Sequence, residues 1–227
     1  MPGKKYRLIC FDADGTLFDY NRAEEWALKN TFLEHNLAFS GKTIETYRKI
    51  NKSLWDRLEQ GNIKIERLKI ERFTKTFPGL SEKEALELSK TYLEHLKKTG
   101  FLISGAEETI RALHGKYKLI LLTNGLAKTQ EGRLRASGLY AYFDAVITSE
   151  EAGCAKPDER IFRMALSIAK VISRESLMVG DNLTADIKGA LMAGMDACWY
   201  NPLYEEKNKT EEYLIIKNLK ELLNFLL

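Results

Sequence analysis

The chain has 227 residues, of which 44% are hydrophobic, enough for one large domain or for a domain with a smaller insertion. Its 35 basic and 32 acidic residues leave a net charge of +3, so we expect no surface for binding a nucleic acid polymer. The three cysteines are widely spaced, which predicts reduced thiols. No apolar run reaches the length of a membrane span, so we expect a soluble, cytoplasmic protein that binds no membrane.

Short apolar runs predict the strands of a sheet. From residue 105 onward they alternate with helical patterns, which indicates βαβ units, and Asp158 is positioned to cap one of the helices. We therefore predict an α/β fold, a Rossmann-like, mainly parallel sheet with helices on both faces. The predicted strands are Tyr6–Phe11, Lys118–Thr123, Ala145–Thr148, Leu177–Gly180 and Ala197–Tyr200.

The segment after the first strand has helical periodicity and almost no strand signal. Tyr47, Leu54 and Leu58 share one helical stripe, and Gly61 and the pair 78–79 separate successive helices. The sequence thus predicts a core formed by residues 1–16 and 104–227. A helical cap domain, residues 17–103, is inserted after the first strand, and the two crossings between these parts form a hinge.

Polar motifs follow four predicted strands or the loops after them, where open α/β sheets bind ligands. In the first motif, Asp12 and Asp14 lie two residues apart, so in an extended segment their side chains point the same way. The second motif contributes a hydroxyl, an amide and a glycine, groups suited to phosphate oxygens. The third is an isolated cation, and the fourth contains two carboxylates. These motifs contain Thr123-Asn124-Gly125, Lys156-Pro157, and Asp181 with Asp186.

The concentration of carboxylates predicts a metal ion. Two carboxylates about 4 Å apart repel by roughly 4 kcal/mol at an effective dielectric constant near 20, and a phosphate dianion meets the same penalty. One lysine cannot cancel this repulsion. A hard divalent cation with oxygen ligands can, and Mg²⁺ suits a site rich in carboxylates and poor in histidine or cysteine.

These four motifs, in this order, resemble those of the haloacid dehalogenase (HAD) superfamily over essentially the whole chain. The resemblance implies that Asp12 is a nucleophile that forms an aspartyl-phosphate and that Asp14 is the acid and base. It implies phosphate binding by Thr123, with Asn124 beside it, and charge neutralisation by Lys156. The implied Mg²⁺ ligands are Asp12, the backbone carbonyl of Asp14, Asp181, and Asp186 directly or through water.

The presence of Asp14 argues for phosphate chemistry, because dehalogenases of this superfamily lack the second aspartate of the first motif. Three stretches also resemble the bacterial pyrimidine 5'-nucleotidases, which dephosphorylate nucleoside monophosphates, including non-standard ones. A small phosphorylated metabolite of that kind is the expected partner. The alternatives are a phosphatase for sugar phosphates or other small metabolites, and a non-catalytic HAD fold used for binding or regulation. The stretches are 50–63, 123–134 and 198–202.

Two cap residues are candidates for substrate specificity. Asn51 is a polar residue on the otherwise apolar stripe that also carries Trp55. An amide that is buried without a hydrogen-bond partner costs about 1 to 3 kcal/mol. The amide of Asn51 avoids this cost if its face of the helix is turned toward the sheet core instead of being buried between cap helices. We therefore predict that Asn51 and Trp55 contact the substrate. The alternative is that both residues only pack the cap.

Overall fold

Apolar runs of the sequence form a parallel sheet in the structure, a computed structural model that describes residues 5–204 and 212–227. Within these residues the strands are β1 (Leu8–Phe11), β2 (Lys118–Thr123), β3 (Ala145–Thr148), β4 (Ser176–Gly180), β5 (Asp196–Tyr200) and β6 (Leu214–Ile216). They are arranged in the order β3-β2-β1-β4-β5-β6, and all neighbouring strands are parallel. The expected α/β fold with a mainly parallel sheet is confirmed.

Both faces of the sheet are buried, which explains why its central strands are continuously apolar. Successive side chains of β1 point to opposite faces: Ile9 and Phe11 join one hydrophobic cluster, and Leu8 and Cys10 join the other. All four side chains are fully buried. The central strands are therefore packed on both faces, and this packing holds the residues that follow their carboxyl ends in place.

Ten α-helices occur in the described ranges, and local sequence signals explain several of their ends. Asp158 caps the helix Glu159–Ala169 as predicted, with its carboxylate accepting a hydrogen bond from Arg160 N at 2.9 Å. Ser81 caps the helix Glu82–Leu96 in a reciprocal capping box with Glu84. The helices are α1 (Tyr20–Glu34), α2 (Gly41–Glu59), α3 (Ile65–Thr76), α4 (Glu82–Leu96), α5 (Ala106–Leu113), α6 (Ala127–Ala136), α7 (Ser149–Ala152), α8 (Glu159–Ala169), α9 (Gly189–Met192) and α10 (Glu221–Leu226).

The chain divides into two compact units. The first, the sheet unit, comprises Met1–Tyr20 and Gly100–Leu227, and the second, the helical unit, comprises Asn21–Thr99. These boundaries lie a few residues from those expected at 16 and 104. The assignment of the helical unit as a cap over the sheet unit stays a prediction.

Inside the helical unit, three aromatic rings form the centre of the core. Tyr47 of α2 contacts Phe73 of α3, with ring centroids 5.5 Å apart, and Tyr92 of α4 lies 5.9 Å from Tyr47. All three side chains are fully buried. The stripe that predicted α2 therefore does face a helical core.

The two segments that connect the units run side by side within the sheet unit. Ile103 N donates to Leu17 O at 2.9 Å, and Asp19 N donates to Phe101 O at 3.0 Å. They form a short antiparallel bridge next to β1. Among the helices of the described ranges, none combines the length and apolarity needed to cross a bilayer.

Candidate active site

Three of the predicted site residues lie at one edge of the sheet because their strands are neighbours. β1 lies between β2 and β4; Asp12 follows β1, Thr123 ends β2, and Asp181 follows β4. In a parallel sheet the carboxyl ends of adjacent strands share an edge. Asp12 is still held in the sheet, because its N–H donates to Val179 O at 2.9 Å. The carboxyl group of Asp12 is thus positioned by the most buried part of the fold.

Lys156 reaches this edge from the loop between α7 and α8. Its ammonium donates to Asp12 Oδ1 at 2.5 Å, to Asp186 Oδ1 at 2.6 Å and to Leu122 O at 2.8 Å. These three acceptors match the three N–H groups of an ammonium, so the buried cation is fully hydrogen-bonded. Burial by itself lowers the pKa of Lys156, but the two carboxylates outweigh it and the pKa is raised. Lys156 is therefore a fixed positive charge beside Asp12.

Asn124 holds the loop that carries Lys156. Its Nδ2 donates to Lys156 O at 3.0 Å, and its Oδ1 accepts from Lys156 N at 2.8 Å. The side-chain amide thus pairs with one backbone unit at both ends. These contacts support a positioning role for Asn124, and the phosphate contact predicted from the sequence stays a prediction.

Carboxylate oxygens from three separate segments converge at the same edge. Oxygens of Asp12, Asp181 and Asp186 lie within 4.8 Å of one another; Asp181 is the exposed member of the set. Thr16 donates its hydroxyl to Asp181 Oδ1 at 3.3 Å, and Trp199 Nε1 donates to Asp181 O at 2.8 Å. Three carboxylates against one ammonium leave an excess of negative charge.

Burial and this excess of negative charge together raise pKa values in the cluster. Burial raises the pKa of Asp12 well above its usual range. Lys156 lowers it, and the charges of Asp186 and Asp181 offset part of that lowering. Desolvation by the protein around the Asp181 carboxyl raises its pKa to about 6, and Asp186 adds to the shift. A hard divalent cation would relieve this repulsion, and the donor set, all oxygen, fits Mg²⁺.

Two glycines allow these carboxylates to approach so closely. Gly15 has a φ of +89°, and a Cβ there would lie 2.3 Å from Asp181 Oδ2. A Cβ on Gly180 would lie 2.3 Å from Asp186 Oδ2. Larger residues at either position would displace a carboxylate, so the glycine after Asp14 in the first motif has a steric role as well as a conformational one.

Asp186 lies in a π-helical turn, Leu183–Lys188, whose start is capped by Asn182. One of its oxygens accepts from Lys156, and the other accepts from Asn182 N at 3.0 Å. Asp186 is 1% exposed. Both oxygens therefore have partners within the protein, which supports a role in holding Lys156. Contact of Asp186 with a metal, directly or through water, stays a prediction.

Asp14 is oriented by another part of the sheet unit. Gln130 Nε2 donates to its Oδ2 at 2.6 Å, and Arg133 Nη1 donates to its Oδ1. Both donors lie on α6. The strand ends at Phe11, and Asp14 lies beyond it in an isolated bridge with Phe18. That the side chains of Asp12 and Asp14 point the same way stays a prediction.

Thr123 is buried at the end of β2, with 2% exposure. Its hydroxyl oxygen accepts from Gly125 N at 3.0 Å, which turns the chain toward α6. The hydroxyl hydrogen is left to donate elsewhere. Phosphate binding by Thr123 is compatible with this geometry and stays a prediction.

The two candidate specificity residues lie on α2 of the helical unit. Asn51 is buried, and its Nδ2 donates to Glu24 Oε1 at 3.4 Å. Glu24 is buried as well and accepts from Arg48 Nε at 2.8 Å. The amide nitrogen of Asn51 therefore has a partner inside the helical unit, which supports the packing alternative for Asn51. Trp55 is half-buried, and its contact with a substrate stays a prediction.

No role was assigned to Gln130 and Arg133 from the sequence, although both lie in the stretch 123–134 that resembles the bacterial pyrimidine 5'-nucleotidases. The spacing of these two residues does indicate a role. The two polar residues are three positions apart and so share one helical face, with Leu134 beside Arg133 on the side of the core. Polar residues on the buried face of a short helix indicate a specific polar partner, which is Asp14.

Comparison with known proteins agrees with this geometry. A family model for haloacid dehalogenase-like hydrolases matches residues 6–194. A crystal structure of the HAD-hydrolase YfnB of Bacillus subtilis bound to magnesium superposes with a TM-score of 0.89, at 34% identity, covering 98% of this chain and 99% of that one.

Two of the similar proteins are named pyrimidine 5'-nucleotidases. The pyrimidine 5'-nucleotidase PynA of Streptococcus pneumoniae is 36% identical over 206 residues, 89% of this chain and 87% of the relative. The pyrimidine 5'-nucleotidase YjjG of Escherichia coli is 34% identical over 204 residues, 89% of each chain. The residues matched by the family model, 6–194, contain all four sequence motifs of the site. The chain therefore belongs to the haloacid dehalogenase-like hydrolase family.

Proposed function

We propose that the chain is a Mg²⁺-dependent phosphomonoester hydrolase that forms an aspartyl-phosphate on Asp12. The observation that carries this proposal is the pairing of Asp12 with the buried ammonium of Lys156 inside a set of carboxylates suited to a divalent cation. A nucleophilic carboxylate needs such neighbours, because an approaching phosphate is itself an anion.

In the first step, a carboxylate oxygen of Asp12 attacks phosphorus while the bond from phosphorus to the leaving oxygen breaks. Asp14 supplies the proton that the leaving oxygen takes up. In the second step, Asp14 removes a proton from water, whose oxygen attacks phosphorus and releases the Asp12 carboxylate and inorganic phosphate. The proton given up in the first step is thereby returned to Asp14.

Other residues stabilise charge during these steps. Lys156 neutralises part of the negative charge on Asp12 and the phosphoryl oxygens, and Thr123 donates its hydroxyl to phosphate. Asp12, the carbonyl of Asp14, Asp181, and Asp186 directly or through water would hold Mg²⁺, which when bound would supply positive charge between the nucleophile and the phosphate.

For the substrate, we infer a nucleoside monophosphate with a pyrimidine base, in line with the names of two relatives that are 36% and 34% identical over 89% of the chain. A sugar phosphate or another small phosphorylated metabolite is the alternative on the same machinery. Release of phosphate from a panel of pyrimidine and purine nucleoside monophosphates, sugar phosphates and p-nitrophenyl phosphate separates them. We expect kcat/KM for the pyrimidine compounds to exceed that for sugar phosphates by about tenfold or more. The reverse order would favour the alternative.

The catalytic proposal is tested with Asp12→Asn and with chelation. The amide is a poor nucleophile and a weaker metal ligand, so we expect turnover of every substrate to fall to background. Excess chelator should likewise stop the wild-type reaction, and added Mg²⁺ should restore it. A purified, folded wild-type chain that hydrolyses nothing with Mg²⁺ would favour the non-catalytic alternative.

A further inference from the structure

The carboxylate of Asp14 is held by two side chains of α6 that the reaction scheme does not use. Gln130 donates to one oxygen at 2.6 Å, and Arg133 donates to the other. We propose that Gln130 and Arg133 are positioning residues that fix the orientation of Asp14 for proton transfer. This inference rests on the proposed function, in which Asp14 is the acid and base.

The helix is built to make these two contacts. Gln130 and Arg133 are 2% and 0% exposed, so long polar side chains occupy positions where a helix of this kind ordinarily places apolar ones. Gly125 leaves the space: a Cβ there would lie 2.2 Å from Gln130 Nε2. Three features of the sequence, a glycine and two polar residues at helical spacing, therefore converge on one carboxylate.

Stability alone does not explain Arg133. Its guanidinium lies over the ring of Phe18, 4.4 Å from the centroid, yet Nε and Nη2 have no hydrogen-bond partner among the described residues. Buried donors without partners destabilise a fold, and a buried ion pair is often no more stabilising than a pair of well-packed apolar side chains in its place. The contact that Arg133 does make, with Asp14, is the one that a functional role requires.

Asp14 needs such support because it is not enclosed. Its side chain is 29% exposed, and it lies in the turn beyond β1, so packing by itself leaves its rotamer open. Proton transfer depends on orientation, and an error of about 1 Å in a reacting group can lower a rate by about 100-fold. Two donors from α6, the helix that follows β2 after a short loop, supply the missing constraint.

The test uses Arg133→Met and Gln130→Leu, with Arg135→Met as the matched control. Arg135 lies on the same helix but is exposed, where it pairs with Glu131. We expect Arg133→Met to lower kcat by about 10- to 100-fold for substrates with poor leaving groups, and by less for p-nitrophenyl phosphate. Gln130→Leu should show the same pattern more weakly, and Arg135→Met should stay within about twofold of wild type.

A series of aryl phosphates with different leaving-group pKa values supplies the readout that a structural defect would not move. With Asp14 misplaced, kcat/KM should depend more steeply on the leaving group, toward the dependence seen in Asp14→Asn. Equal losses across the series, or a slope unchanged from wild type in both Arg133→Met and Gln130→Leu, would overturn the proposal.

A double-mutant cycle with Asp14→Asn completes the test. If Arg133 acts through Asp14, adding Arg133→Met to Asp14→Asn should change the rate by less than about twofold. Losses that multiply would refute the inference while leaving the proposed function intact. The proposed function fails separately, if wild type turns over no substrate or Asp12→Asn keeps its activity. Should Arg133→Met not fold, the same cycle with Gln130→Leu decides.

Discussion

Replacing Lys156 by Met removes the buried ammonium and leaves two carboxylates without their cation. The separation of 2.5 Å between Lys156 Nζ and Asp12 Oδ1 corresponds to an attraction of about 7 kcal/mol at an effective dielectric constant near 20. Dehydration of the ammonium cancels much of this, and removing one partner of a buried ion pair typically costs about 3 to 5 kcal/mol. For a chain of this size we expect Tm to fall by about 10 °C.

The pH dependence of this loss has a defined sign. Burial raises the pKa of Asp12 above its usual range, and Lys156 opposes this shift, so without Lys156 the folded pKa of Asp12 lies still further above the unfolded one. The folded variant then binds more protons than the unfolded chain, and its stability decreases as the pH rises through the ordinary carboxylate range toward neutrality. The difference in Tm between wild type and Lys156→Met should therefore be larger at neutral pH than in mild acid.

The assay is thermal unfolding followed by circular dichroism in buffer without divalent cations, together with kcat measured with Mg²⁺. We expect kcat to fall by about 100-fold or more, because the charge that faces the phosphoryl group is lost. Asp186→Asn added to Lys156→Met should recover part of the Tm but none of the activity. Lys90→Met, which removes an exposed ion pair with Glu87, should change Tm by less than about 2 °C. A variant Lys156→Met with wild-type Tm and with kcat within tenfold of wild type would show that Lys156 neither stabilises the carboxylate pair nor serves the reaction.

Four further predictions concern substitutions of single residues. Asp14→Asn should slow hydrolysis of nucleoside monophosphates more than that of p-nitrophenyl phosphate, by up to about 10² to 10⁴, and equal losses in kcat would indicate a structural role. Gly15→Ala should raise the Mg²⁺ concentration for half-maximal activity about tenfold or more, since its Cβ displaces Asp181; an unchanged requirement for Mg²⁺ would contradict this. Asn51→Ala should lower Tm and affect both substrates alike, because its amide is bound to Glu24. Trp55→Ala should instead raise KM for nucleoside monophosphates alone, and a loss shared by p-nitrophenyl phosphate would retire its specificity role.

The sequence was sufficient to predict most of the sheet. Strands such as β2 and β4 are continuous apolar runs bounded by turn residues, and a central parallel strand needs little else, because both of its faces are buried. β6 was missed, since it has only three residues at the edge of the sheet, and its pairing with β5 is a long-range contact without a local pattern.

Most residues of the site could also be predicted from the sequence, because residues after adjacent parallel strands must meet at one edge of the sheet. The hydrogen-bond partners of the polar side chains could not be predicted, since they depend on the tertiary structure. Asn51 donates a hydrogen bond to Glu24, which is 27 residues away in the sequence, and Asn124 donates one to the backbone of Lys156, which is 32 residues away. No spacing rule along the chain anticipates such partners.

The pattern of strands and motifs in the sequence was thus enough to predict which chemical groups form the site and at which edge of the sheet they lie. Tertiary structure alone decided that the ammonium of Lys156 lies between Asp12 and Asp186 and that α6 holds Asp14 through Arg133. The physical reason is that a buried polar group must find a partner wherever the folded chain supplies one, whereas a buried apolar side chain needs only to be removed from water.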